Sequence, residues 1–136
     1  MSDISALSHE YETSAKLAEE LNEAILAIKK SRFHQRAGLT LDQRKALAST
    51  VGSLRQQLEA GQGVAESEFL PQEMVERLCE RHRPRMAYFL DDLSRTVSLL
   101  ENDLVPLDDA IVRVLDEICD AADETASSVF RRMRRR

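Results

Sequence analysis

Apolar residues recur along this chain at three- and four-residue steps, the period of one helical face. From about Asp3 to Phe33, that step joins Ile4, Leu7, Tyr11, Ala18, Leu21, Ile25 and Ile28, with Ser14 filling one gap. HQRAG (34–38) breaks the pattern, and Gly38 is the expected terminator. A second pattern follows TLDQ, where Thr40 and Gln43 have the spacing of a capping box. Leu47, Val51, Leu54 and Leu58 form its stripe, and Gly61 ends it.

The third pattern begins near Pro71, a residue tolerated in a first turn. Val75, Leu78, His82, Met86, Phe89, Leu93, Val97, Leu100 and Leu104 keep one register. Pro84 lies inside it, removing one backbone donor and crowding the preceding turn, so a kink or short break is expected near 81–84. Pro106 is read as the start of a fourth helix with the stripe Leu107, Ile111, Val114, Ile118, Ala121, Thr125 and Val129. Val112, Leu115, Cys119, Ala122, Ala126 and Phe130 widen that stripe, which predicts the most buried helix of the set.

Four amphipathic segments with short connections predict an all-α, up-down four-helix bundle with a short second helix and a Pro84 kink in the third. Residues 1–130 form the bundle, and 131–136 form an Arg-rich tail continuing helix four. The second helix should be about 15 Å shorter than the others, at roughly 1.5 Å per residue. The loop 61–70 would then cover the end that holds the N-terminus, the start of helix three and the tail. Tyr11, Phe69 and Phe130 are expected near that end, with Val64 and Leu70 in the loop. This makes it the leading candidate for a partner-binding surface.

Composition narrows the picture. The 136 residues fit one domain, large enough for a core without disulfides or metal. Four Gly and three Pro are too few for a small β protein with many tight turns. Trp is absent and aromatics make up 4%, little for a protein built to stack nucleobases. MSDISALSHE has neither the basic nor the apolar part of a signal peptide, and no uncharged stretch reaches membrane-spanning length. Cys79 and Cys119 stand alone in helical patterns, so a reducing cytoplasmic location is expected.

Charge sharpens it further. The chain is acidic, with a formal net charge of -5, yet carries three basic clusters. Lys29, Lys30, Arg32 and Arg36 end helix one, where cations face the negative end of the dipole. Arg77, Arg81, Arg83 and Arg85 lie early in the third pattern, and Arg131, Arg132, Arg134, Arg135 and Arg136 close the chain. The dipole would be served by one or two of that last set. The excess implies contact with an anion. Glu66, Glu68, Glu73, Glu76 and Glu80 near the same end would repel phosphate or neutralise the tail, which favours a protein partner over bare nucleic acid.

Little else suggests chemistry. Cys79 and His82 share a helical face, and His9 could approach them, but no fourth metal ligand or CxxC pair is evident. Arg77 and His82 in RLCERH form R-x4-H, which resembles the R-x4-6-H motif of HEPN-type ribonucleases. That resemblance covers six residues and implies, where it holds, an Arg and a His acting on RNA at a dimer cleft; the polar residue usual after the Arg is Leu78 here. No P-loop, GxGxxG, GxSxG or inward Glu-x-x-His pair occurs.

The expected function is that of a non-enzymatic adaptor, regulator or small subunit acting through protein–protein interaction, without cofactor, metal or membrane. Tyr11, Phe69, Phe130, Arg77, Arg81, Arg83, Arg85, Arg131, Arg132, Arg134, Arg135 and Arg136 would meet a protein with acidic and apolar patches. The alternative is a nucleic-acid-contacting subunit of a ribonucleoprotein complex, then a HEPN-like ribonuclease. Homo-oligomerisation through the apolar end stays open.

Overall fold

A computed structural model describes residues 3–34, 38–60 and 70–135. α1 spans Asp3–His34, α2 Leu41–Glu59, α3 Gln72–His82, α4 Met86–Glu101 and α5 Asp109–Arg134. A 3-10 turn, Arg83–Arg85, separates α3 from α4. No strand occurs among the described residues, and the protein is an all-α helical bundle. Phe69, Val64, Glu66, Glu68, the glycines at 61 and 63, Arg36 and Arg136 lie outside the described residues, as do the side chains of Ile4, Arg32 and His34.

The four stripes supply the core. Leu21, Ile28, Leu54, Leu78, Leu93, Leu100, Ile111, Leu115 and Ile118 are fully buried. Truncating any one of them to Ala should cost about 2–5 kcal/mol, the transfer loss plus the cavity left behind. α1 packs chiefly on α5 and α2 on α4, while α3 and α4 both reach α5. Small buried residues, Ser14 and Ala18 on α1 and Ala121, Ala122 and Ala126 on α5, let the first pair approach closely. The Cys119 thiol donates to the Ala18 carbonyl across that contact at 3.3 Å.

The ends follow local chemistry. The Thr40 side chain accepts from the Gln43 amide at 3.2 Å, and the Thr40 amide donates back to Gln43 Oε1 at 2.9 Å, completing the expected capping box. Gly38 has a different reason from the one expected: a Cβ there would sit 3.0 Å from Ser31 Oγ and 3.2 Å from Ser31 Cβ. It permits close approach to α1 rather than serving a left-handed terminator.

Two boundaries also differ. α5 starts at Asp109, not at Pro106, because the Asp108 carboxylate accepts from the amides of Ala110 and Ile111 and caps the helix. Leu104 does not continue the third stripe. Asn102 is extended and its side chain accepts from the Leu104 amide, so the chain leaves the helix and Leu104 is 92% exposed.

The least expected packing element is Arg44, 6% exposed on the buried register of α2. Its Nε donates to the Leu100 carbonyl at 3.1 Å, and one terminal nitrogen donates to the carbonyls of Leu99, Asn102 and Val105. These are carbonyls at the end of α4 and the following turn, which have no helical donor of their own. A side chain on α2 thus closes the connection from α4 to α5.

Candidate functional site

α3 and the last turns of α5 hold most of the described arginines assigned to partner binding, and the structure divides them into two groups. Arg77 pairs with Glu73 at 2.9 Å along α3 and lies 3.9 Å from Glu124 on α5. Arg81 donates to both carboxylate oxygens of Glu124, at 3.2 and 3.0 Å. Arg132 reaches Glu73. Three cations therefore share two carboxylates on facing helices, which leaves the cluster one positive charge in excess. Such partly exposed pairs contribute only about 0.2–1 kcal/mol each. Their larger effect is to use up charge that a partner would otherwise see.

Arg83, Arg85, Arg131, Arg134 and Arg135 form the second group, with no carboxylate partner among the described residues. Arg134 lies over the Phe130 ring, 5.9 Å from its centroid. The Phe130 ring in turn meets Tyr11 of α1, centroid to centroid at 5.6 Å and tilted by 40°. Phe130 remains 43% exposed. The predicted juxtaposition of Tyr11 with Phe130 beside the tail is present, and Phe69, the third aromatic, lies outside the described residues.

Tyr11 and Phe130 close one end of a groove of about 590 Å³ between α1 and α5. Its floor is made of small residues, Ala15, Ala18, Cys119 and Ala126, and its rim carries Glu19, Asp116, Asp120 and Asp123. Periodicity alone placed this half of the α5 stripe in the core. In the structure Leu115, Ala122 and Ala126 are buried, whereas Val112 and Cys119 are half-buried and Phe130 is exposed. Among the described residues this edge of the stripe is only partly covered.

A second cleft, of about 810 Å³, opens beside the 3-10 segment Arg83–Arg85 and is lined in part by Pro84. Arg85, Arg95, Arg113 and Tyr88 line it, together with His82, Phe89, Asp92 and Glu117. Tyr88 is 73% exposed. Arg95 is 3.8 Å from Asp108, whereas Arg85 and Arg113 face no carboxylate within ion-pair distance among the described residues. Tyr88 and Arg95 on α4 and Arg113 on α5 were missed in the sequence because they belong to no motif and meet only through the packing of the two helices.

His82 packs face to face on Phe89, with centroids 3.8 Å apart and planes within 6°. Its Nε2 is 3.0 Å from Glu117 Oε2 but out of line for a hydrogen bond. Arg77, its partner in the R-x4-H spacing, turns instead to Glu73 and Glu124. Glu117 and Glu124 are two turns apart on α5, so the two side chains engage separate points of that helix. Cys79 and Cys119 are both free thiols. Burial pushes the Cys79 thiol up, Arg83 opposing and Glu76 adding. Burial also raises Cys119, and Asp120, Asp116 and Asp123 raise it further. Among the described residues no group of three or more His, Cys, Asp or Glu could hold a metal ion, and no helix is long and apolar enough to cross a membrane. Compared with protein-family models, characterised proteins and solved structures, the chain has no significant match.

Proposed function

We propose that the chain is a non-enzymatic helical-bundle adaptor or small regulatory subunit that binds other protein surfaces. The observation that carries this reading is the Tyr11–Phe130 pair, half open to solvent, beside Arg131, Arg134 and Arg135, which lack carboxylate partners among the described residues. Aromatic and Arg side chains clustered at a groove end have the composition of a binding hot spot. With Arg77, Arg81 and Arg132 engaged with Glu73 and Glu124, recruitment falls mainly to the remaining arginines and affinity to the ring pair.

The test is native co-purification with wild type, Phe130→Ala and a triple Arg131→Glu, Arg134→Glu, Arg135→Glu variant, each checked for helicity. A protein retained by wild type and lost by both variants supports the reading. Retention indifferent to both variants overturns it.

A second reading is favoured by the Pro84 cleft. Exposed Tyr88 stands among Arg85, Arg95 and Arg113, an aromatic between cations as in contacts to single-stranded nucleic acid. Paired absorbance at 260 and 280 nm on protein purified at low salt tests it, because two Tyr and no Trp give little protein absorbance. A 260 nm excess that disappears at high salt supports this reading. A clean protein spectrum, with no salt-dependent binding of a single-stranded oligonucleotide, overturns it.

A further inference from the structure

We propose that the groove between α1 and α5 is filled by a second copy of this chain, its α5 running antiparallel to the first. The proposal rests on the adaptor reading and names a partner for the same surface. Val112, Cys119, Ala126 and Met133 recur every seven residues on α5, and all but Ala126 are half-buried. That row runs along the α5 side of its junction with α1 at the spacing two packed helices use: Val112 and Cys119 pack partly on the core, and Cys119 and Ala126 form the groove floor. Asp116, Asp123 and Phe130 form the adjacent row at the same seven-residue spacing, flanked by Asp120, Arg131 and Arg134.

Charge decides the occupant. Asp116, Asp120 and Asp123 have no cationic partner among the described residues, and Arg131 and Arg134 have no carboxylate. One face of one helix therefore carries uncompensated acid in its middle and uncompensated base at its end. A helix that fits must carry the reverse order. A parallel copy would set acid against acid and base against base, which costs binding energy. An antiparallel copy supplies the reverse order by symmetry, since a two-fold interface brings the same patch to both sides.

In the register that sets Arg134 opposite the partner copy's acidic stretch at 116, position 131 falls opposite 119–120 and 127 opposite 123. Asp123 then meets the small Ser127 rather than its own copy. Phe130 lies over the small floor of Ala15, Ala18 and Cys119, an exposed ring facing a shallow recess. Each half of the interface supplies what the other lacks.

Light scattering on the full chain tests this with two reversals, Asp116→Arg with Asp120→Arg, and Arg131→Asp with Arg134→Asp. Wild type should scatter at twice 15.4 kDa. Each reversal alone should halve the mass, and an equimolar mixture of the two should restore it. An equimolar mixture of Asp123→Cys and Ser127→Cys, two exposed positions that face each other in this register, should give a covalent heterodimer on mild oxidation, whereas Asp123→Cys mixed with Ser49→Cys on exposed α2 should not. This second readout does not depend on the reversal variants folding. A monomeric wild type, a dimer indifferent to both reversals, or no cross-link between Asp123→Cys and Ser127→Cys would overturn the proposal. Phe130-dependent retention of a different protein by a monomeric wild type would leave the adaptor reading standing while this inference fails. Loss of both would end both.

Discussion

The guanidinium of Arg44 on α2 donates to the Leu100 carbonyl at the end of α4, across 56 residues of chain, at 3.1 Å. The same side chain also takes the carbonyls of Leu99, Asn102 and Val105, while its charge pair with Asp103, 3.9 Å away and largely exposed, adds little. Arg44→Ala would leave several poorly solvated carbonyls without donors. It is expected to cost about 2–4 kcal/mol, from charge-assisted hydrogen bonds and the penalty of stranded acceptors. Arg44→Lys should recover less than half, because an ammonium cannot reproduce the planar fork. Urea denaturation followed by circular dichroism measures both.

Ser14 makes the opposite case. Its side chain is fully buried between α1 and α5, and its hydroxyl has no hydrogen-bond partner. Ser14→Ala removes an unsatisfied polar group from a site that already accepts small residues. The expected result is a gain of about 1 kcal/mol, within the roughly 1–3 kcal/mol that an unpaired buried group costs. A loss of stability in thermal melts would show that the hydroxyl is solvated or bonded in solution.

The two capped helix starts should respond alike. Thr40→Ala removes the acceptor for the Gln43 amide, and Asp108→Ala removes the acceptor shared by Ala110 and Ile111. Each should destabilise by about 1 kcal/mol, and Asp108→Asn should lose less than Asp108→Ala because Asn also caps well. Thermal melts of the three variants, side by side, check the order.

Both thiols should resist alkylation near neutral pH, because burial raises their pKa and thiolate is the reactive form. Cys119 should react more slowly than Cys79, since Asp120, Asp116 and Asp123 add to its rise whereas Arg83 opposes that of Cys79. Iodoacetamide time courses read by peptide mass spectrometry would rank them. For stability the sign follows from proton counting. Above the ordinary thiol value of 9.0 the unfolded chain releases these protons while the folded chain keeps them. The folded state therefore binds more protons there, and stability, complete below that pH, falls as pH rises through it.

Local pattern was enough to read the helices themselves. The stripes of α1, α2, α3 and α5 repeat every few residues, the Thr40–Gln43 cap lies within one turn, and the 3-10 segment Arg83–Arg85 includes Pro84. These are short-range effects of backbone geometry, so neighbouring letters carry them. The start of α5 was misplaced because Pro106 and Asp108 both signal helix starts, and only the Asp108 carboxylate meets the free amides. Arg44 gave a faint signal, a charged residue on the apolar register of α2, but its acceptors belong to a distant turn.

Relations between helices depend on how those helices sit against one another, and no periodicity encodes that. Glu73 and Glu124 face Arg132, Arg77 and Arg81 because α3 and α5 lie side by side. The same packing decides which half of the wide α5 stripe enters the core and leaves Cys119 and Phe130 on a groove. Charge and apolar surface act through space at distances of a few ångströms. Composition set how much of each the chain carries, and the packing of α1, α3 and α4 around α5 set which of it remains available to a partner.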